Sequence, residues 1–215
     1  MEFKADIIII IIILALVLTF FAYYYRNEAF NLVPGSGSGS YSISNFKFPG
    51  PKAEYPKIVK EFGEPTYVSN VPGGVAVWKS PEFFTELFLM DESILHTSPQ
   101  NHCDFFYATI NVYIPPDILC TVLKLSESIY YDQLKKELTA RCHFMGANVA
   151  TLYLALMIVN DQSNASKYLA AYKSTVMSTM TESNYVALKI QLKQLVLENQ
   201  QKYASMMPNR NCQIN

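Results

Sequence analysis

From Ile7 to Tyr25 the chain carries no charge, and the apolar residues then thin out before returning with two successive periods. Nineteen residues at helical rise span roughly 28 Å, close to the hydrocarbon thickness of a bilayer. A lone strand cannot satisfy its backbone in lipid and a helix can, so Ile7, Ile13, Leu18, Phe21 and Tyr25 are expected to lie on one spanning helix. The aromatic group Phe20 to Tyr25, closed by Arg26, suits the headgroup zone. A cleaved signal peptide fits less well. The run is too long, Glu2, Lys4 and Asp6 do not make a basic n-region, and no small-x-small site follows. Lys4 and Arg26 flank the span almost evenly, so charge favours neither orientation.

Pro34 to Ser40 reads PGSGSGS, which offers nothing to bury and predicts a flexible tether of about 14 Å r.m.s. reach. Beyond it, Pro49, Pro51, Pro56 and Pro65 predict extended or turning chain, with a short helix at Pro56 to Phe62. Strands are expected at Val75 to Trp78, Phe83 to Met90 and Asp104 to Ile114, the last alternating Phe106, Ala108, Ile110, Val112 and Ile114. Short connections make them an antiparallel meander. The period then turns helical, predicting helices at Pro116 to Leu125, Asp132 to Val159, Ala165 to Met180 and Asn184 to Met206. The layout is an anchor over 1–26, a linker over 27–45, an α+β globular domain over 46–207 and a polar tail over 208–215. Removing residues 1–40 is expected to leave that domain folded.

Composition narrows the functional classes. A net charge of −1 supplies no basic field for nucleic acid. No phosphate loop, dinucleotide fingerprint or HExxH occurs, so no cofactor, small-molecule substrate or enzymatic activity is expected. Two pairs carry candidate chemistry, His102 with Cys103 and Cys142 with His143. Thiolate and imidazole suit zinc, but immediate neighbours face opposite ways on a strand and diverge by about 100° on a helix, so buried thiols and satisfied histidines are the expectation. A thiol site built from Cys142, His102 and Asp104 lacks any activating local signature. Cys103, Cys120 and Cys142 lie in apolar sequence, which favours a reducing compartment. Arg141 needs a carboxylate, for which Glu127 or Asp132 is nearest in the chain. Gly146, Ala147 and Ala150 share one helical side and predict a close backbone approach inside the long helix.

Four stretches, FGEPTYVSNVPGGVAVW from Phe62, HCDFFYATINVYIP from His102, LSESIYYDQLKKELTARCHFMGANVATLYLA from Leu125 and YKSTVMSTM from Tyr172, resemble a viral family. They are similar to membrane-anchored virion proteins, minor capsid proteins among them, of chloroviruses and related large icosahedral double-stranded DNA viruses. RCHFMGAN and GGVAVW are the most specific parts, and no catalytic residue comes with the resemblance. It implies a single-pass structural protein at the interface of the virion's internal membrane and capsid, passing through host membranes during assembly. The implied partners are the lipid bilayer and the major and minor capsid proteins. Two other readings are a membrane-tethered Cys/His hydrolase or redox protein and a non-capsid membrane adaptor in infected cells.

Overall fold

A computed structural model describes residues 32–34, 46–69, 74–97 and 101–207. Seven strands form one sheet: β1 (Leu32–Pro34), β2 (Tyr67–Ser69), β3 (Val75–Lys79), β4 (Glu86–His96), β5 (His102–Asn111), β6 (Ile129–Asp132) and β7 (Glu137–Cys142). Their order is β1-β2-β3-β4-β5-β7-β6, and every neighbouring pair is antiparallel. The α+β class and the β3-β4-β5 meander are as expected. Alternation explains the pairing. Trp78, Leu87, Ala108, Ala140 and Ile129 stand opposite one another across five strands and are all buried, which sets the register of the inner face.

The helices α1 (Pro49–Phe62), α2 (Pro116–Leu123), α3 (Met145–Asn160), α4 (Ala165–Ser178) and α5 (Glu182–Lys202) gather on that inner face. Helix α1 starts a full two turns before Pro56, because Pro49 and Pro51 sit in the first turn, where a backbone N–H has no helical partner. Helix α3 is buried almost all round, with β5 and β7 on one side and α4 and α5 on the other. Trp78 closes the core near α1, donating from Nε1 to the Gly63 carbonyl at 2.8 Å.

The long helix expected from Asp132 is corrected: residues 129–142 form a hairpin and the helix begins at Met145. The Asp132 carboxylate accepts from the Leu134 and Lys135 amides at 2.9 and 3.0 Å, a side-chain-closed turn, and Lys136 follows with φ 56°. Leu138, Ala140 and Cys142 then alternate inward on β7. The spacing of Leu134, Leu138 and Cys142 also matches a helix, and turn chemistry decided between the two.

Strand β1 lies within the stretch read as linker, where Leu32 to Pro34 pair with Ser69 to Tyr67. A domain cut at residue 40 would therefore lose its edge strand. The expected span with Ile7, Ile13, Leu18, Phe21 and Tyr25, the run 35–40 and the tail 208–215 lie outside the described residues. Among the described residues no helix is long and apolar enough to cross a membrane.

Candidate functional site: a buried histidine, cysteine and carboxylate cluster

The chain has three histidines, and all three meet at one end of the inner face. Strand pairing brings them there. Strand β4 runs past a register irregularity after Leu89, so that Ile94 faces Asp104 and His96 faces His102. His102, Asp104 and Phe106 alternate on β5, and Cys142, the last residue of β7, faces Phe106. The strand ends between Cys142 and His143, so the two need not diverge as strand neighbours would. His143 Nδ1 lies 3.5 Å from Cys142 Sγ. Alternation turns Cys103 the other way, and it is exposed.

His102 Nε2 lies at the centre, 3.4 Å from Cys142 Sγ, 3.3 Å from His96 Nδ1 and 3.0 Å from Asp104 Oδ1. Asp104 is 1% exposed. Its Oδ2 accepts from Ser128 Oγ at 2.7 Å and Arg141 Nε at 3.1 Å, while Oδ1 accepts no hydrogen bond in line. Arg141 is therefore paired with Asp104, not with Glu127 or Asp132. His96 contacts Ser128 Oγ through Nδ1 at 2.9 Å. Burial holds the His96 and His143 imidazoles below their ordinary titration range, which Asp104 partly offsets at both, so both are neutral near pH 7.

A thiol nucleophile is poorly served here. Burial pushes the Cys142 thiol up to about 12. Both the thiol and the carboxylate sit against the same His102 nitrogen, whereas a relay uses the two ring nitrogens for different partners. A cavity of about 560 Å³ nearby is lined by Glu54, Phe144, Gly146 and Tyr185, and by neither Cys142 nor His102.

Of the residues singled out in sequence, the structure thus brings together His102, Asp104, Cys142 and His143 and leaves Cys103 outside. Cys103 and Cys120 are exposed, so apolar packing of thiols holds only for Cys142. Gly146 lies in the first turn of α3, not deep inside a helix. A Cβ there would come within 2.9 Å of the Thr179 carbonyl, the Thr179 Cβ and the Phe144 ring. The close backbone is thus the turn between α4 and α5, while Ala147 and Ala150 pack with Cys142 and Val176. His96 and Ser128, not singled out in sequence, complete the cluster, whose local sign in sequence is the pair of polar residues His102 and Asp104 at consecutive inward positions of a strand.

Comparison of the chain with protein-family models, with curated proteins and with solved structures finds no match. The expected kinship rests on the four stretches alone.

Proposed function

We propose that this chain is a structural protein that tethers an α+β docking domain to a membrane, and that in a virion it links the internal membrane to the outer icosahedral shell as a minor capsid protein. The observation that carries the docking role is the one-sided layering of the sheet. The face opposite the buried row of Trp78, Leu87, Ala108 and Ala140 bears Val77, Phe88, Tyr107 and Arg141 in one row, with the half-buried Phe88 and Tyr107 rings 5.7 Å apart. A half-buried aromatic row edged by a cation is the composition that protein interfaces favour. The partner in this reading is a capsid subunit. The uncharged span supports the membrane tether; because β1 already pairs at Leu32–Pro34, the PGSGSGS run falls between β1 and α1, and the short stretch between the span and β1 is what holds the domain at the surface so that modest contacts add by avidity.

Purified virions test the reading. The chain should remain with the particle through high salt and leave only with detergent, and a photo-crosslinker in place of Phe88 should capture a capsid subunit. Release by salt alone would remove the anchor. Presence in infected-cell membranes but absence from particles would favour the non-capsid adaptor. A thiol hydrolase or redox role ranks second on the 3.4 Å approach of Cys142 to His102, and it predicts that Cys142→Ser abolishes a thiol-dependent turnover.

A further inference from the structure

We propose that Cys142 Sγ, His102 Nε2, His143 Nδ1 and Asp104 Oδ1 form a structural binding site for a divalent transition metal of the zinc class. The cysteine and the two histidines offer ligand atoms that all lie within 4.8 Å of one another. Zinc bonds to nitrogen and sulfur at tetrahedral angles require N···N edges of about 3.4 Å and N···S edges of about 3.6 Å. The observed S···N distances of 3.4 and 3.5 Å are close to that. Asp104 Oδ1, which is 3.0 Å from His102 Nε2, fully buried and without a hydrogen bond of its own, belongs to a second such group with His96 and His102, and it takes the fourth place once its carboxylate turns toward the sulfur.

The surrounding groups sort themselves accordingly. Arg141 Nε and Ser128 Oγ both donate to Asp104 Oδ2, which leaves Oδ1 as the coordinating oxygen. Because Ser128 gives its proton to Asp104, its contact with His96 at 2.9 Å is one in which the imidazole Nδ1–H donates. His96 is thereby an orienting group and not a ligand. His102 Nε2 faces nitrogen, oxygen and sulfur within 3.4 Å, and one N–H can serve only one of them. A cation in contact with the sulfur and the oxygen resolves that competition. One thiolate, two imidazoles and one carboxylate suit zinc and exclude the oxygen-seeking magnesium and calcium. Binding forms a metal–sulfur bond, breaks the Cys142 S–H bond and releases that proton to solvent. Four protein ligands close the shell, so the ion would tie the ends of β5 and β7 to the start of α3.

Cobalt(II) is the probe. Added to full-length chain in detergent after chelator treatment, it should give the intense visible bands of tetrahedral cobalt and a near-ultraviolet thiolate-to-cobalt band, saturating at a single equivalent. Cys142→Ser should lose the near-ultraviolet band, Ser128→Ala should bind about 10- to 100-fold more weakly, and Cys103→Ser should match the parent. His143→Gln, changed at a half-buried ring, should also lose affinity and covers the case in which Cys142→Ser does not fold. The site is overturned if the parent gives no thiolate band, if the band survives in Cys142→Ser or disappears in Cys103→Ser, or if His143→Gln binds as tightly as the parent.

Discussion

Strands β5 and β7 carry two unlike regions on one face. Toward one end Ala108 and Ile110 lie opposite Ala140 and Leu138, all buried and apolar. Toward the other, His102 and Asp104 meet His96, Cys142 and Arg141. Both ends are closed to water, but by different physics. The apolar end is held by volume, so any side chain of similar size and shape keeps most of its stability. The polar end is held by matched donors and acceptors, and it loses stability whenever one partner is removed and the rest remain buried.

Asp104→Ala is the strongest way to break the polar end. It leaves Ser128 and Arg141 without their shared acceptor, and breaking a buried charge pair in this way costs about 3 to 5 kcal/mol. The lower figure applies, because the Arg141 side chain keeps 26% exposure and can turn to water. Thermal or urea unfolding of the full chain in detergent measures the loss. A cost below about 1 kcal/mol would mean that the network contributes little and that the end is held by packing after all.

Swaps of similar size sharpen the contrast. Leu138→Met should cost less than about 1.5 kcal/mol, since volume is kept in a core that reads only volume. Asp104→Asn keeps the volume too, yet it sets an amide N–H₂ or a weaker acceptor against Arg141 and Ser128, and should cost about 2 kcal/mol. Equal costs for the two swaps would erase the distinction between the ends.

The two regions also differed in how far they could be read from sequence. A run of β-formers marks β3, period-two apolar residues mark β5, and the helical period marks α4 and α5 to within a few residues. The stretch 132–142 was read as helix because its apolar spacing fits both periods, and the carboxylate of Asp132 that closes the turn leaves no trace in hydrophobicity. The strand expected at Phe83 to Met90 stops short of β4, which runs on through Asp91 and Glu92 to His96. Asp91 is in fact buried and accepts from the Lys47 and Phe48 amides at 2.6 and 2.9 Å, so the strand continues and delivers His96 to the cluster. Polar residues satisfied by distant backbone are what a pattern of hydrophobicity misreads. The expectation that Cys142 and His143 diverge rests on placing both in one long helix, and it is void where β7 ends at Cys142 and the helix begins only at Met145.

Gly146 tests the wall behind the polar end. A methyl group there meets the Thr179 carbonyl and Cβ and the Phe144 ring, each at 2.9 Å. The Phe144 ring can swing away, but the Thr179 backbone is held in the turn between α4 and α5. Gly146→Ala should therefore cost about 1 to 2 kcal/mol by overpacking, although alanine is the better helix former. A gain in the melting temperature would show that the turn yields and that the contact is loose.

The smallest expected effect is at Cys103, and it probes whether the side of the strand alone decides membership in the cluster. Cys103 lies between His102 and Asp104 in sequence, yet it is exposed while Asp104 is among the most buried polar residues. Side chains on a strand alternate, so His102 and Asp104 point toward the helices and Cys103 points away. Cys103→Ser replaces a surface thiol by a hydroxyl of similar size, and substitutions at such sites stay within about 0.5 kcal/mol. Its melting temperature should match the parent, while thiol labelling of the native protein should fall by about one group, because exposed Cys103 and Cys120 both react and buried Cys142 hardly does. A loss beyond about 1 kcal/mol would place Cys103 in contact with the interior and would mean that β5 is turned or slipped from the register that pairs His96 with His102.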